Sequence, residues 1–222
     1  MAESLTKDSF LIAPAPWDLK GEGVILVYKF SKNWVEQQGQ LPDYLKGQFS
    51  GGLGYLMLVN YTQSPVGPYR ELLFIPGKFK NHRKQTITRI FVDSEQSTQN
   101  GRANWGIPKE TMDFSWEEQE GQIQIRVKSK EETFFSCEVK PFGFTFPANT
   151  KLLPIDLYQH WKGKDFFTKP SGKGKAKLAR VNILHVNPSF FPPIDQIKPL
   201  LAVHIRPFQI HFPEAVVHEK IL

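Results

Sequence analysis

Two ionisable residues stand out by their setting. Glu71 opens the apolar run Leu72-Leu73-Phe74-Ile75, and 38 residues later Lys109 follows the corner Trp105-Gly106-Ile107-Pro108. Glu and Lys are rarely buried unless paired. A solvated lysine, with a pKa of about 10.4, is almost wholly protonated at neutral pH. Desolvation or a nearby cation frees the amine, which can attack a ketone and give a Schiff base, and a neighbouring carboxylate can carry the proton. The same residues also suit a surface lysine paired with Glu71 or Glu110. What separates the two readings is whether Lys109 is desolvated and free or paired and charged.

Other chemistries lack their residues. Cys137 is the one cysteine, which excludes an internal disulfide and a cysteine-based zinc site; in an apolar strand it reads as a small half-buried hydrophobe. The six histidines show neither His-x-x-x-His nor His-Glu-x-x-His spacing, so no metal is expected. Ser50-Gly51-Gly52-Leu53-Gly54 precedes a strand rather than a helix and has no following Gly-Lys-Ser/Thr, so it is no phosphate cradle. A Gly-x-Ser-x-Gly elbow is absent.

These residues must be positioned by a chain of 222 residues with 40% hydrophobic, 23% charged and 13% aromatic content. That composition fits one globular domain, here residues 1–222, and excludes disordered, collagenous and coiled-coil classes. The longest apolar runs are far short of the roughly 20 residues of a membrane helix. The acidic, weakly apolar start, Met1 to Asp8, does not resemble a secretory signal, and a cytoplasmic location is expected. The net charge of +6 is local: the stretch Lys162 to Arg180 holds seven basic residues against Asp165 alone, which accounts for all of it. Residues 162–177 read as a solvated basic surface loop, with anion steering as the alternative. Nucleic-acid binding would rest on this one segment and its aromatics Trp161, Phe166 and Phe167, and is not expected.

Apolar and polar residues alternate in short runs: Gly23 to Phe30, Leu53 to Tyr61, Glu71 to Ile75, Thr86 to Val92, Phe114 to Glu118, Gln122 to Val127, Thr133 to Lys140, Lys177 to Val186 and Leu201 to Phe212. Proline cannot donate to a ladder, so the last run should be bent or interrupted at Pro207. Ser31 caps a short helix with Trp34 and Val35 inward; Leu41 to Lys46 and Asp195 to Leu201 are weaker helical candidates. Many strands with few helices and no alternating strand-helix rhythm predict a mainly β fold, an antiparallel barrel or sandwich with peripheral helices.

The pairing of Gly-x-Tyr-x-Glu, ending at Glu71, with Gly-Arg-x5-Pro-Lys, ending at Lys109, resembles the acetoacetate decarboxylase superfamily. Ala13-Pro14-Ala15-Pro16-Trp17, the Gly-Glu-Gly before Val24, and the stretch Ala176 to Ala215 are similar more loosely. The resemblance implies a single closed antiparallel β-barrel with an apolar cavity, commonly in a homo-oligomer. It implies that Lys109 is the Schiff-base lysine and Glu71 a cavity carboxylate that handles a proton. No cofactor is implied beyond the covalent Schiff base. Arg102, Tyr69, Trp105 and Ile107 fall beside them as substrate-contacting residues, although Arg102 could equally tie its turn to Asp93. Where the decarboxylases carry a second lysine this chain has Glu110; a second cavity acid falls near Leu56 and a carboxylate-holding arginine near Gly21. If the chain is extended at Lys109, Glu110 faces away. Two functions follow: a Schiff-base lyase acting on a small keto acid or related carbonyl compound, or a non-catalytic barrel binding an apolar lipid or pigment.

Overall fold

Alternation puts successive side chains on opposite faces of a strand, and here it builds most of the molecule. The computed structural model describes residues 11–151 and 154–219, so the reading of Met1 to Asp8 lies outside the described residues. In chain order the elements are β1 (Trp17–Tyr28), α1 (Lys32–Gln38), β2 (Phe49–Gly51), β3 (Gly54–Gln63), β4 (Tyr69–Ile75), β5 (Lys78–Phe79), β6 (Arg89–Val92), α2 (Glu95–Trp105), β7 (Glu110–Thr111) and β8 (Asp113–Gln119). They continue with β9 (Gln122–Lys128), β10 (Thr133–Asn149), β11 (Leu157–Trp161), β12 (Lys164–Thr168), β13 (Ser171–Val186), β14 (Leu201–Phe212) and β15 (Val216–Glu219).

Ten strands form one sheet in the order β7-β6-β4-β3-β1-β14-β13-β10-β9-β8. β7 and β8 stand at opposite ends of that order, yet only Met112 separates them in the chain, so the sheet curls until its ends meet. Phe91 of β6 and Phe134 of β10 accordingly pack with ring centroids 4.9 Å apart. The result is the mainly β, nearly closed barrel that the sequence predicts. One pairing departs from the antiparallel expectation: β6 and β7 are parallel, because α2 connects them as a crossover.

Both faces of the central strands are buried. Leu56 and Leu58 of β3 and Leu72 and Phe74 of β4 point into the packed core with Ile125, Phe134 and Phe135. Tyr55, Met57, Tyr69, Glu71 and Leu73 take the opposite face, and the pocket described below lies there. The strand β14 runs as predicted, and it bulges at Pro207, where Gly21 pairs with Phe208 but Gly23 pairs with Ile205. The Ser31 hydroxyl accepts from the Trp34 amide at 3.2 Å, capping α1, whose Val35 is fully buried. The two weaker helical candidates are single 3-10 turns, Asp43–Leu45 and Ile194–Gln196.

The basic stretch 162–177 is not a loop. It forms β12 and the first half of β13, with a tight turn at Lys162 and Gly163. Lys173, Lys175 and Lys177 alternate with Gly172, Gly174 and Ala176, so the charges face solvent and the small residues face the neighbouring backbone. A Cβ at Gly172 would meet the Gln209 carbonyl oxygen at 2.9 Å, and one at Gly174 would meet Ile205 Cγ2 at 2.6 Å. Composition that reads as loop is here a strand needing small residues for close approach.

Candidate active site

Lys109 is held by α2, the element that sequence periodicity does not reveal. The Ser94 hydroxyl caps the helix by accepting from the Ser97 amide at 3.1 Å. Gly106 ends it in the left-handed region, with φ +63°, and its amide donates to the Arg102 carbonyl. A Cβ at Gly106 would also collide with the Phe166 ring at 2.5 Å. After that turn the chain passes through Ile107 and Pro108 and delivers Lys109 back alongside α2. Gly101 leaves the room: its missing Cβ would sit 2.8 Å from Lys109 Cδ.

Glu71 arrives from β4, on the face that also carries Tyr69, Leu73 and Ile75. Asp93 at the end of β6 accepts from the Arg70 amide at 2.6 Å and from its guanidinium at 3.0 Å, so β4 is pinned to the start of α2. Lys109 Nζ therefore lies 2.9 Å from Glu71 Oε2, with each side chain only 5% exposed. The same ammonium donates to Ser97 Oγ at 2.9 Å and is hydrogen-bonded to Tyr69, over whose ring it sits at 4.9 Å. Tyr61 donates to the other Glu71 oxygen at 3.4 Å.

Burial pulls the Lys109 ammonium toward neutrality, but the charge of Glu71 and the hydrogen bonds to Glu71 and Tyr69 outweigh it and hold the pKa above that of a free lysine. Burial, with a smaller contribution from the Glu71 carboxylate, pushes the Tyr69 hydroxyl up to about 12. Tyr61 is raised well above its ordinary value by the same two causes. The resting site is thus an ion pair flanked by two neutral phenols.

Around the pair lies a pocket of about 170 Å³. Trp17, Trp105, Ile107, Phe208 and Phe212 are among its walls, and Glu71, Lys109 and the exposed Lys173 are its charged lining residues. Trp105 is fixed edge-on to Trp17 at 5.0 Å and donates from its indole to the Pro213 carbonyl at 2.7 Å.

Of the residues singled out in the sequence, Glu71, Lys109, Tyr69, Trp105 and Ile107 meet at this pocket, and Arg102 does not. Arg102 is on α2, not in a turn; its guanidinium lies 5.4 Å from the Trp161 ring centre, and Asp93 is engaged with Arg70 instead. Glu110 points away from the pocket to Arg89 at 3.3 Å, as an extended chain requires. Leu56 faces the packed core, so β3 brings no acid to the pocket. Gly21 has no room for a side chain, since a Cβ there would lie 2.1 Å from the Asn60 carbonyl oxygen. Cys137 is buried, and burial pushes its thiol up to about 12, which leaves it unreactive. Among the described residues no group of His, Cys, Asp and Glu has the arrangement of a metal site.

Ser97 and Tyr61 were not legible as site residues. The signal for Ser97 was the cap at Ser94 together with a glycine twelve residues on, which bounds a helix and puts Ser97 and Gly101 one turn apart on the face that meets Lys109.

Solved structures with this fold include acetoacetate decarboxylase from Legionella pneumophila subsp. pneumophila str. Philadelphia 1, at TM-score 0.70 and 15% identity over 94% of this chain and 90% of that one. A second acetoacetate decarboxylase structure matches at TM-score 0.68 and 14% identity, over 95% and 92%. The enduracididine biosynthesis enzyme MppR, complexed with the condensation product of pyruvate and imidazole 4-carboxaldehyde, matches at TM-score 0.67 and 11% identity, over 97% and 94%. At these identities the likeness speaks for the fold. A search of curated proteins finds no match. The family model of acetoacetate decarboxylase (ADC) matches residues 3–161, well over half of the sequence and including both Glu71 and Lys109, and the chain is a member of the acetoacetate decarboxylase family.

Proposed function

We propose that the protein is a Schiff-base enzyme of lyase type acting on a small carbonyl compound, with Lys109 as nucleophile and Glu71 as proton carrier. The observation that carries this reading is the buried Lys109–Glu71 pair, 2.9 Å apart, against an apolar wall. The resting ammonium must first lose a proton. Glu71, 2.9 Å away, is in position to take it. The amine then adds to the carbonyl carbon, and the nitrogen proton passes to the carbonyl oxygen to give a carbinolamine. Glu71 returns its proton to the hydroxyl, water leaves, and a protonated imine remains beside the Glu71 carboxylate. That cation serves as electron sink in place of a cofactor. A carboxylate on the carbon α to the imine can then leave as carbon dioxide, or Glu71 can remove an α-proton; either step gives an enamine. Tyr69 and Ser97 keep the nitrogen oriented throughout. MppR, with its bound condensation product, is a member of the same fold that handles carbonyl compounds, in keeping with this reading.

The test is borohydride trapping with a panel of small ketones and keto acids, read by intact mass and peptide map. A carbonyl-dependent adduct on Lys109 that is lost in Lys109→Ala supports the reading, and labelling no greater than that of surface lysines sinks it. The charged resting state of Lys109 favours a second reading, a barrel that holds an apolar ligand without turnover. Native mass spectrometry of the purified protein showing a retained apolar molecule, together with no Lys109 adduct, would establish it.

A further inference from the structure

We infer that the pocket selects neutral ketones or aldehydes with an apolar body of about six to nine non-hydrogen atoms and disfavours keto acids. This rests on the Schiff-base reading of Lys109 and narrows its substrate.

The argument is one of charge balance. At depth the pocket holds one ammonium and one carboxylate, each neutralising the other. Converting the ammonium to a protonated imine preserves the positive charge, so a neutral substrate leaves the pair balanced at every step. A substrate carboxylate beside the pair would add a second negative charge with no further buried cation to meet it, and an unpaired charge in an apolar site is strongly disfavoured. Two places where a compensating group could stand are closed, since Gly21 abuts the Asn60 carbonyl and Arg102 is turned to Trp161. The third charged lining residue, Lys173, is exposed to water, which screens it. The Tyr61 hydroxyl beside the pair is committed to Glu71, to which it donates at 3.4 Å. Size follows from the volume. A dry cavity of about 150 Å³ accommodates benzene, and this one measures about 170 Å³.

Two near-isosteric pairs test the inference on the full chain: 4-methylpentan-2-one against acetoacetate, and 5-methylhexan-2-one against 4-oxopentanoate. At equal concentration and neutral pH, borohydride should trap each ketone on Lys109 at least tenfold faster than its keto acid. Equal or faster trapping of the keto acids overturns the inference. If none of the four labels Lys109, the Schiff-base reading fails, and selectivity is read instead from quenching of Trp17 and Trp105 fluorescence. Tighter binding of the ketones then upholds the inference, while equal or tighter binding of the keto acids overturns it. Glu71→Gln supplies a gain-of-binding arm, in folded protein confirmed by circular dichroism. With the ammonium unpaired, the preference should shift toward the keto acids by at least tenfold, and an unchanged preference overturns the charge argument. The wild-type comparison decides by itself if that variant does not fold.

Discussion

The stem of Lys109 runs through the space that a side chain at Gly101 would occupy, with the absent Cβ 2.8 Å from Lys109 Cδ and 2.9 Å from Cε. The atoms in the way belong to a flexible side chain, so Gly101→Ala should displace the lysine rather than break the helix. Alanine is favoured over glycine inside a helix by up to about 1 kcal/mol. The expected outcome is an unchanged or raised melting temperature with Lys109 trapping reduced at least tenfold. Calorimetry beside peptide-mapped trapping separates these two effects, and a parallel loss of both would show that Gly101 serves the fold alone.

Ser97→Ala removes an acceptor from the Lys109 ammonium. An acceptor favours the charged form, so its loss should lower the lysine pKa and move the rising limb of the trapping rate to lower pH. Circular dichroism should be unchanged, with a stability loss of about 1–2 kcal/mol. A pH profile superimposable on that of the wild type would remove Ser97 from the site.

The Lys109–Glu71 pair makes a non-additive prediction. Removing one partner leaves a buried charge unpaired and should cost about 3–5 kcal/mol, whereas replacing both by apolar residues of similar size should be near neutral or stabilising. Urea titration of Lys109→Met, Glu71→Leu and the double variant tests this, and additive losses would mean that the pair is solvated.

Alkaline stability follows from the same residues. The pKa values of Lys109, Tyr69 and Tyr61 are raised in the folded protein. Groups of this kind contribute stability that is fully present below their unfolded values, about 10 to 10.5, and lost as pH rises through the folded ones. The melting temperature should therefore fall above about pH 10. The two tyrosines should ionise only as the protein unfolds, visible as delayed absorbance at 295 nm. Full phenolate absorbance in still-folded protein would contradict their burial.

Much of this was readable from residues. Alternation located the long strands because each presents one face to the packed core, and Pro207 announced the bulge in β14. The Glu71 and Lys109 pair could be singled out because a Glu before an apolar run and a Lys after a Gly-Pro corner have few structural reasons to be there. Helix α2 escaped because its buried residues are mostly Ser, Thr, Asn and Gly, with Trp105 its one buried aromatic, so no apolar stripe recurs at helical spacing. Its caps were the available signal. The basic half of β13 escaped for the converse reason, since glycines that permit close strand approach look like loop residues. The short β12 lay hidden in the same charged stretch, and β11 just before it.

The barrel closes through the covalent turn at Met112 rather than through a ladder between β7 and β8, so β8 keeps one line of backbone donors and acceptors uncommitted among the described residues. Such a line is a template for adding a strand from another chain. β8 carries exposed Asp113, Glu117 and Glu118 along its length. Glu118 is already met by Arg206 at 2.7 Å, so Asp113 and Glu117 are the charges that two copies approaching edge to edge would bring together, and their repulsion would disfavour that contact.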